Sequence, residues 1–449
     1  MAKNNNLKDF LTDVADAIRA KTGSTSLINP QNFSTEIANF QIGISDAEVA
    51  QIKRQVDKLE ETMGVYPKPI VYGVSLDKSI MTAGQWESYT DDADGLEPAY
   101  MDFTNNVFVD NGWTSRWPFN QIKPCLVKEG AVVGYLDPND YTLFEDGTKA
   151  GITNRSNGNV MIEFPLIYYK LSSDENKITV QISDKELEGF TDRAFWHEGQ
   201  KSNKIYVGAY LSGDSYLTSR GFYSISGSLL TDLYTINHVD HYKYNKGTNE
   251  EFMPFDVLTL IQCLYLIMFK NTNSQVAIGY GWNNLKTNYK TGQMNTKGLY
   301  YGKKSGGSGV KIFGLEDFYG VKMTISTGFY VDENGHPRRI DVYDPNMTYH
   351  PDDIPNYPAI EDITFSPTSY FNLLDITGKN ELGFVNVSTD KDYNIGFTDS
   401  TYPRAGSNSL IFGTTKLNAQ YGIFNTEAIL PSSKDSRRSL RLVYYPKEG

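Results

Sequence analysis

Residues Phe255–Phe269 read FDVLTLIQCLYLIMF and form the most apolar stretch of the 449-residue chain. Crossing a bilayer takes about 20 residues, and this run is only fifteen residues long, with Asp256, Thr259 and Gln262 inside it. We therefore interpret it as a buried core helix, with a signal anchor as the alternative.

Around this helix, short β-branched and aromatic runs alternate with Gly, Asn and Asp turns after Pro69, for example IVYGVSL, NVFVDNGW, AVVGYL and KITVQI. This spacing favours sheets over βαβ units. Residues 272–309 have almost no periodicity and are rich in Asn, Gly, Tyr and Lys. They predict a long loop region, which in a compact domain is usually functional or mobile.

The N-terminal part predicts helices. Leu7, Leu11, Val14 and Ile18 share one helical face. A capping box then precedes apolar residues spaced 3, 4, 3, 4, which is a coiled-coil seam: Val49, Ile52, Val56, Leu59 and Met63. We expect this helix to join copies of the chain, as a homotrimer rather than a dimer. The alternative is that it packs on its own chain.

The composition excludes several classes of function. With 42 basic and 54 acidic residues the net charge is −12, which disfavours non-specific binding to nucleic acid or to anionic lipid. The N-terminus lacks the apolar core of a signal peptide. Tyr (31), Gly (38), Ser and Asn are frequent. That composition is typical of binding loops, although a β-rich, loop-rich fold explains it equally well.

Three stretches together resemble known families. LTDVADAIRAKTGSTSLINPQNFSTEIANF (11–40) resembles a module near the start of bacteriophage tail and tail-fibre proteins. FDVLTLIQCLYLIMFKNTNSQVAIGYG (255–281) and FGLEDFYGVKMTISTGFYV (313–331) resemble the C-type lectin-like fold, in the branch of formylglycine-generating enzymes and retroelement variable proteins. The resemblance implies that the first and last strands of that domain, within 162–171 and 438–446, pair with each other. Its enzymes carry a Trp- and Glu-containing motif, which Val321–Ile325 lacks after Gly320.

Catalytic and metal sites find little support in the sequence. Cys125 and Cys263 lie in different predicted elements, so the close cysteine pair of a formylglycine-type oxidase is not expected. The pair His238 and His241 falls on an irregular stretch. Calcium stays open as an alternative, with two acidic groups as candidates: Asp91, Asp92 and Asp94 in DDADG, and the adjacent Glu316 and Asp317, of which at most one should point into a given pocket. We expect no cofactor.

The aromatic and amide side chains of the loops suit sugars, whose C–H faces stack on rings while amides donate hydrogen bonds. One candidate set lies in the long loop: Trp282, Asn283, Tyr289 and Tyr300, with Asn284 and Tyr301 beside them. The resemblance places the ligand face shortly before the last strand, which gives a second set: Tyr402, Arg404, Asn408, Tyr421, Phe424 and Asn425. For each residue the alternative is ordinary packing.

The sequence therefore predicts an α+β chain in four parts: an attachment module (1–43), an oligomerising coiled-coil helix (44–66), a β-rich connection (67–145) and a C-type lectin-like domain (146–449). We expect a phage receptor-binding protein at the tail tip or tail fibre. It would be made in the host cytoplasm, bind other tail or baseplate proteins through its N-terminus, and adhere multivalently to a host surface glycan without catalysis. The alternatives are a tail-associated enzyme, either polysaccharide-cleaving or oxidase-like, and a structural tail component.

Overall fold

The computed structural model divides the chain into two compact units, residues 1–69 and 70–449. It describes residues 12, 15, 16, 18, 19, 68–212, 222–230, 249–282, 289–304, 307–349, 353–360, 364–365, 371–372, 378–385, 399–402, 409–413, 422–429 and 438–447. In the first unit, the described residues Thr12, Ala15, Asp16, Ile18 and Arg19 have helical conformation.

The described part of the second unit is dominated by strands. In chain order they are β1 (Val71–Asp77), β2 (Glu87–Asp91), β3 (Tyr100–Asp102), β4 (Val107–Val109), β5 (Lys123–Lys128), β6 (Ala131–Asp137), β7 (Asp140–Phe144), β8 (Asn159–Pro165), β9 (Tyr168–Ser173), β10 (Lys177–Ser183), β11 (Trp196–His197), β12 (Gln200–Lys201), β13 (Lys204–Gly208), β14 (Glu250–Phe252), β15 (Lys311–Ile312), β16 (Leu315–Glu316), β17 (Met323–Ser326), β18 (Phe329–Val331), β19 (Pro337–Arg339), β20 (Phe371–Asn372), β21 (Ser400–Tyr402), β22 (Ser409–Phe412), β23 (Thr426–Ile429), β24 (Arg438–Ser439) and β25 (Leu442–Tyr444). The α-helices of the same described residues are α1 (Phe255–Phe269) and α2 (Ser274–Ala277).

Helix α1 is the centre of the core, and every one of its 15 residues is buried. This confirms the buried-helix interpretation. The helix follows Pro254 and ends at Lys270, whose left-handed backbone (φ 43°) turns the chain. Because no side of α1 meets water, its polar residues need partners inside the protein. The Gln262 amide donates to the Ile423 carbonyl (2.9 Å).

Asp256, in the first turn of α1, is held by two buried arginines. Arg193 Nε lies 3.1 Å from Asp256 Oδ1, and Arg339 Nη2 lies 2.7 Å from the same oxygen. Burial would raise the pKa of Asp256, but the two guanidinium charges hold it below its usual value. The start of the helix is thereby tied to two segments that are distant in the sequence.

The largest sheet has seven strands in the order β14-β25-β13-β8-β5-β6-β7, and all its pairs are antiparallel. The predicted direct pairing of 162–171 with 438–446 is wrong for the described strands. Strand β13 lies between β8 and β25, and pairs Val207 with Ile162 on one side and with Val443 on the other.

A four-stranded antiparallel sheet, β2-β1-β10-β9, packs against α1. Its inward side chains include Val74, Leu76, Ile178 and Val180, all fully buried. Strands from before and after residue 145 share this sheet and the seven-stranded one, so the expected boundary between 67–145 and 146–449 runs through both sheets.

The third large sheet has six strands, β20-β21-β23-β22-β17-β24, and contains two parallel pairs. Four two-stranded hairpins complete the described strands: β3-β4, β11-β12, β15-β16 and β18-β19. Two of these hairpins, β11-β12 and β15-β16, carry side chains of the two candidate sites.

The predicted α+β fold with a coiled coil is corrected by this architecture. The described residues are β-rich, and apart from the helical residues between 12 and 19 their α-helices are α1 and α2, with no coiled coil among them. The β-branched and aromatic runs form sheets along most of this unit, which leaves helix to one apolar segment and one short turn. The seam residues lie outside the described residues: Val49, Ile52, Val56, Leu59 and Met63.

None of the helices in the described residues combines the length and the apolar character needed to cross a membrane.

Candidate functional site

The candidate site is built on the hairpin β15-β16 and the residues GLEDFYG (314–320) that continue it. The hairpin turns through Phe313 (φ 51°) and Gly314 (φ 81°), both left-handed. Glycine is required at 314, because a Cβ there would lie 2.5 Å from the Tyr141 hydroxyl and 2.7 Å from Ile162 Cδ1. This tight turn delivers two carboxylates to the protein interior.

The Glu316 carboxylate, 1% exposed, receives three backbone N–H groups from one neighbouring segment. Its Oε1 accepts from Gly292 (2.6 Å) and Gln293 (3.1 Å), and its Oε2 accepts from Met294 (2.8 Å). The segment 289–300 has no regular helix or ladder to satisfy these donors. The Glu316 carboxylate therefore supplies the hydrogen-bond acceptors that a helix or a strand ladder would otherwise supply to this irregular segment.

Lys311 lies on the opposite strand of the hairpin and is fully buried. Its ammonium donates to the Met294 carbonyl (3.0 Å) and lies 3.6 Å from the centre of the Tyr141 ring. Burial lowers the pKa of Lys311 to about 7, against the opposing effect of Glu316. Burial also raises the pKa of Glu316, while the backbone donors and Lys311 oppose that rise. Glu316 and Lys311 therefore bind the same segment. Glu316 accepts from backbone N–H groups of that segment, and Lys311 donates to one of its carbonyl groups.

Asp317 is also buried, and it holds the aromatic end of that segment. The Tyr289 hydroxyl donates to Asp317 Oδ2 (2.5 Å), and the Tyr289 ring meets the Trp282 ring edge-on at 5.7 Å and 76°. Burial raises the pKa of Asp317 well above its usual value, and the charge of Glu316 adds to the effect. Trp282 and Tyr289 stand on either side of residues 283–288, so their contact brings the two ends of that stretch together.

The sequence predicts that at most one of the adjacent acids points into a given pocket, and the structure gives the two carboxylates different partners, the N–H groups of residues 292–294 for Glu316 and the Tyr289 hydroxyl for Asp317. Glu316 and Asp317 are both buried, at 1% and 2% exposure. Successive side chains alternate only along an extended strand. Asp317 has a left-handed backbone (φ 55°), so the alternation ends there and both carboxylates face the interior.

Arg441, beside the last strand, completes the centre. It is fully buried and donates to the carbonyls of Gly208 (2.7 Å), Ala209 (3.1 Å) and Glu316 (2.6 Å). Its positive charge lowers the pKa of Asp317 against the larger effect of burial. Arg441 therefore joins the β15-β16 hairpin to the seven-stranded sheet.

The first predicted set of ligand residues lies at this centre, but it is mostly inward-facing. Trp282 is partly buried, whereas Tyr289 and Tyr300 are each only 6% exposed. Tyr300 stacks on Phe108 at 4.3 Å. These two tyrosines therefore support the loop, and Asn283 lies outside the described residues.

Among the described residues of the second predicted set, Phe424 is bound by an acid that sequence reasoning did not identify, the fully buried Asp399. Its two oxygens accept from the N–H groups of Gly422 (2.7 Å) and Phe424 (2.8 Å), and burial raises its pKa to about 7. Phe424 and Asn425 are buried. Tyr402 lies in β21 with its side chain undescribed, and the rest of the set falls outside the described residues: Arg404, Asn408 and Tyr421.

Thiol and metal chemistry depend on the burial of the two cysteines and on the placement of the side chains that could bind a metal ion. Cys125 in β5 and Cys263 in α1 are buried, and burial raises the pKa of both thiols. Among the described residues no group of three His, Cys, Asp or Glu side chains is placed to hold a metal ion. His238 and His241 lie outside the described residues.

Asp91 and Asp92 of the DDADG cluster bond to protein groups. Asp92 Oδ2 accepts from Val71 N–H (2.9 Å), and Asp91 Oδ2 accepts from the Gln181 amide (2.8 Å).

A third acid also accepts hydrogen bonds from backbone N–H groups. Glu87 Oε1 accepts from the N–H groups of Gly84 (3.1 Å) and Thr272 (2.7 Å). Glu87, Glu316 and Asp399 thus each bind the backbone of an irregular segment, which can form a rigid support for loops without regular structure.

Comparison with known proteins finds no family model and no curated protein that matches this chain.

Proposed function

We propose that this chain is a receptor-binding protein of a bacteriophage tail, which adheres to a glycan on the bacterial surface by non-covalent contacts. The proposal is supported chiefly by the contact between the Trp282 and Tyr289 rings at 5.7 Å and by the Asp317 carboxylate that accepts from the Tyr289 hydroxyl. Aromatic side chains that are already fixed lose less entropy when a ligand binds, which favours recognition at this place.

Adhesion is favoured over catalysis by the state of the acids at this centre. Both oxygens of Glu316 already accept backbone N–H groups, and Asp317 is 2% exposed. A catalytic carboxylate needs access to its substrate, and these side chains face the interior. We therefore assign these two carboxylates a supporting role.

The resemblance of residues 11–40 to the start of tail proteins assigns the N-terminal part to attachment on a tail or baseplate. A virion would then present several copies of the binding domain. Weak single sites suit such an arrangement, because simultaneous engagement multiplies their affinities on a repetitive glycan.

The test is binding of fluorescently labelled protein to a panel of bacterial cells and to their purified wall polysaccharides. Trp282→Ala removes the partly buried ring that contacts Tyr289, and we expect it to weaken binding about tenfold. Trp117→Ala is the matched control, because Trp117 is a partly buried tryptophan that packs on another part of the core.

Equal binding by wild type and a folded Trp282→Ala variant would contradict the role of this loop. Failure of the wild type to bind any cell would contradict adhesion itself. Shortening of the polysaccharide during incubation would favour the polysaccharide-cleaving alternative.

A further inference from the structure

A second aromatic feature lies away from the Glu316 centre, where the hairpin β11-β12 meets the chain after β19. The rings of Trp196 and Tyr343 contact each other at 5.0 Å with an interplanar angle of 76°. Tyr343 is 42% exposed, and Trp196 is partly exposed. We refer to these two residues as the aromatic pair.

The polar atoms of the pair are hydrogen-bonded to neighbouring side chains. Trp196 Nε1 donates to Asp192 Oδ1 (3.0 Å), and the Tyr343 hydroxyl lies 3.2 Å from Thr191 Oγ1. Burial raises the pKa of Tyr343 to about 12. Aromatic residues that stay partly exposed offer apolar ring surface to a ligand, and these hydrogen bonds hold the two rings in place.

The backbone beneath the pair is fixed. The hairpin turns through Glu198 (φ 49°) and Gly199 (φ 74°). Gly199 N–H donates to the Val342 carbonyl (3.0 Å), and a Cβ at this position would lie 2.7 Å from Pro345. The hairpin and the segment that carries Tyr343 are therefore in direct contact, and the two rings are preorganised.

Charged groups rim the pair. Lys201 Nζ lies 2.5 Å from Asp192 Oδ2 and donates to the Tyr168 hydroxyl (3.1 Å). An ammonium has three donors, and these bonds use two. The Lys201 side chain is 32% exposed. A hydrogen-bond donor thus stands at the edge of an exposed aromatic surface.

We propose that the aromatic pair is a saccharide-binding site, in which a pyranose ring lays its C–H face on the Tyr343 ring and its rim against Trp196 while Lys201 donates to a hydroxyl. The inference rests on the proposed function, to which it adds a site on different elements. Apolar rings with a few fixed polar groups are the usual composition of a small-ligand site.

The size of the apolar surface favours a sugar over a protein partner. A stable protein interface buries about 800 Å² on each side. The other exposed large apolar side chains among the described residues lie on other segments: Ile80, Tyr100, Val107, Val133, Leu229 and Val276. The apolar surface at this site therefore amounts to two rings, which matches one or two sugar units.

The experiment applies the full-length protein to an array of bacterial surface saccharides, with titration of the strongest hit. We expect Tyr343→Ala to weaken binding about tenfold. Tyr343→Phe keeps the ring and loses only the hydroxyl that bonds Thr191, so it should bind like wild type. Tyr100→Ala is the matched control, because Tyr100 is 46% exposed on β3 and should bind like wild type. Thermal unfolding verifies that each variant is folded.

Three outcomes separate this inference from the proposed function. If wild type binds the array and Trp282→Ala weakens binding while Tyr343→Ala does not, the aromatic pair is no sugar site and the adhesin proposal stands. If wild type binds cells but no saccharide, the inference is overturned together with the glycan part of the proposed function, and adhesion to a protein receptor takes their place. If wild type binds neither, both proposals fall.

Discussion

At the scale of single residues, buried ionisable groups give the fold a dependence on pH. Glu251 in β14 is 4% exposed and accepts from Phe252 N–H (2.7 Å) and the Thr327 hydroxyl (3.3 Å). Burial raises its pKa from 4.5 to about 8. The folded state therefore holds a proton that the unfolded state releases, so wild type loses stability as pH rises from about 4.5 to about 8.

The variant Glu251→Gln cannot ionise and keeps an acceptor oxygen at the same place. We expect its free energy of unfolding to match that of wild type near pH 4.5 and to exceed it by about 4 kcal/mol at pH 8. Urea unfolding at both pH values measures the difference. A difference that stays constant between the two would show that Glu251 does not titrate in this window.

At the scale of elements, the hairpin β15-β16 stabilises a segment that has no ladder of its own. Glu316→Gln places an amide N–H₂ where a carboxylate oxygen accepted backbone N–H groups, so at least one donor among Gly292, Gln293 and Met294 loses its acceptor. We expect a loss of about 2–3 kcal/mol and faster hydrogen exchange across residues 289–297.

Hydrogen exchange by mass spectrometry measures the local effect of Glu316→Gln, and urea unfolding measures the global one. Glu97→Gln, at an exposed side chain, is the control and should change stability by less than about 0.5 kcal/mol. Unchanged exchange across residues 289–297 would mean that the segment is fixed by other contacts.

At the scale of the whole molecule, residues 70–449 form one compact unit. A fragment starting at Ile70 keeps the 25 strands of the described residues and should unfold cooperatively within a few degrees of the full chain. A fragment starting at residue 146 loses β1 and β2 from the four-stranded sheet and β5, β6 and β7 from the seven-stranded sheet. Removing them would expose Ile178, Val180 and Ile162, so we expect this fragment to aggregate or to lack a cooperative transition.

Calorimetry and circular dichroism of the two fragments test this expectation. A cooperative, soluble fragment 146–449 would show that the part before residue 146 is an independent addition to the fold.

Some of this architecture could be predicted from local pattern. The continuous apolar run of α1 needs full burial wherever it lies, and its 15 residues are too few for a membrane span, so its position in the core followed from composition. The strand-rich character after Pro69 likewise follows from β-branched and aromatic runs between turn residues. No coiled coil is found in the described residues, and the five residues of the predicted seam lie outside them.

Less of the candidate site could be predicted from the sequence. Tyr289 and Tyr300 have the composition of binding residues, but their rings are buried against Trp282 and Phe108. Asp399 carried no local signal, because its partners are backbone N–H groups more than twenty residues away. Burial depends on which distant segment covers a side chain, and no period in the sequence encodes that.

By itself the sequence determined that a wholly apolar helix must be enclosed, that short strands surround it, and that irregular, aromatic and amide-rich segments connect them. Only the tertiary structure decided which polar groups hold those segments. Arg193 and Arg339 meet at Asp256, and Trp196 meets Tyr343, across long separations in the chain. The physical reason is that propensity and periodicity act within one element, whereas hydrogen bonds, ion pairs and burial depend on distances in space.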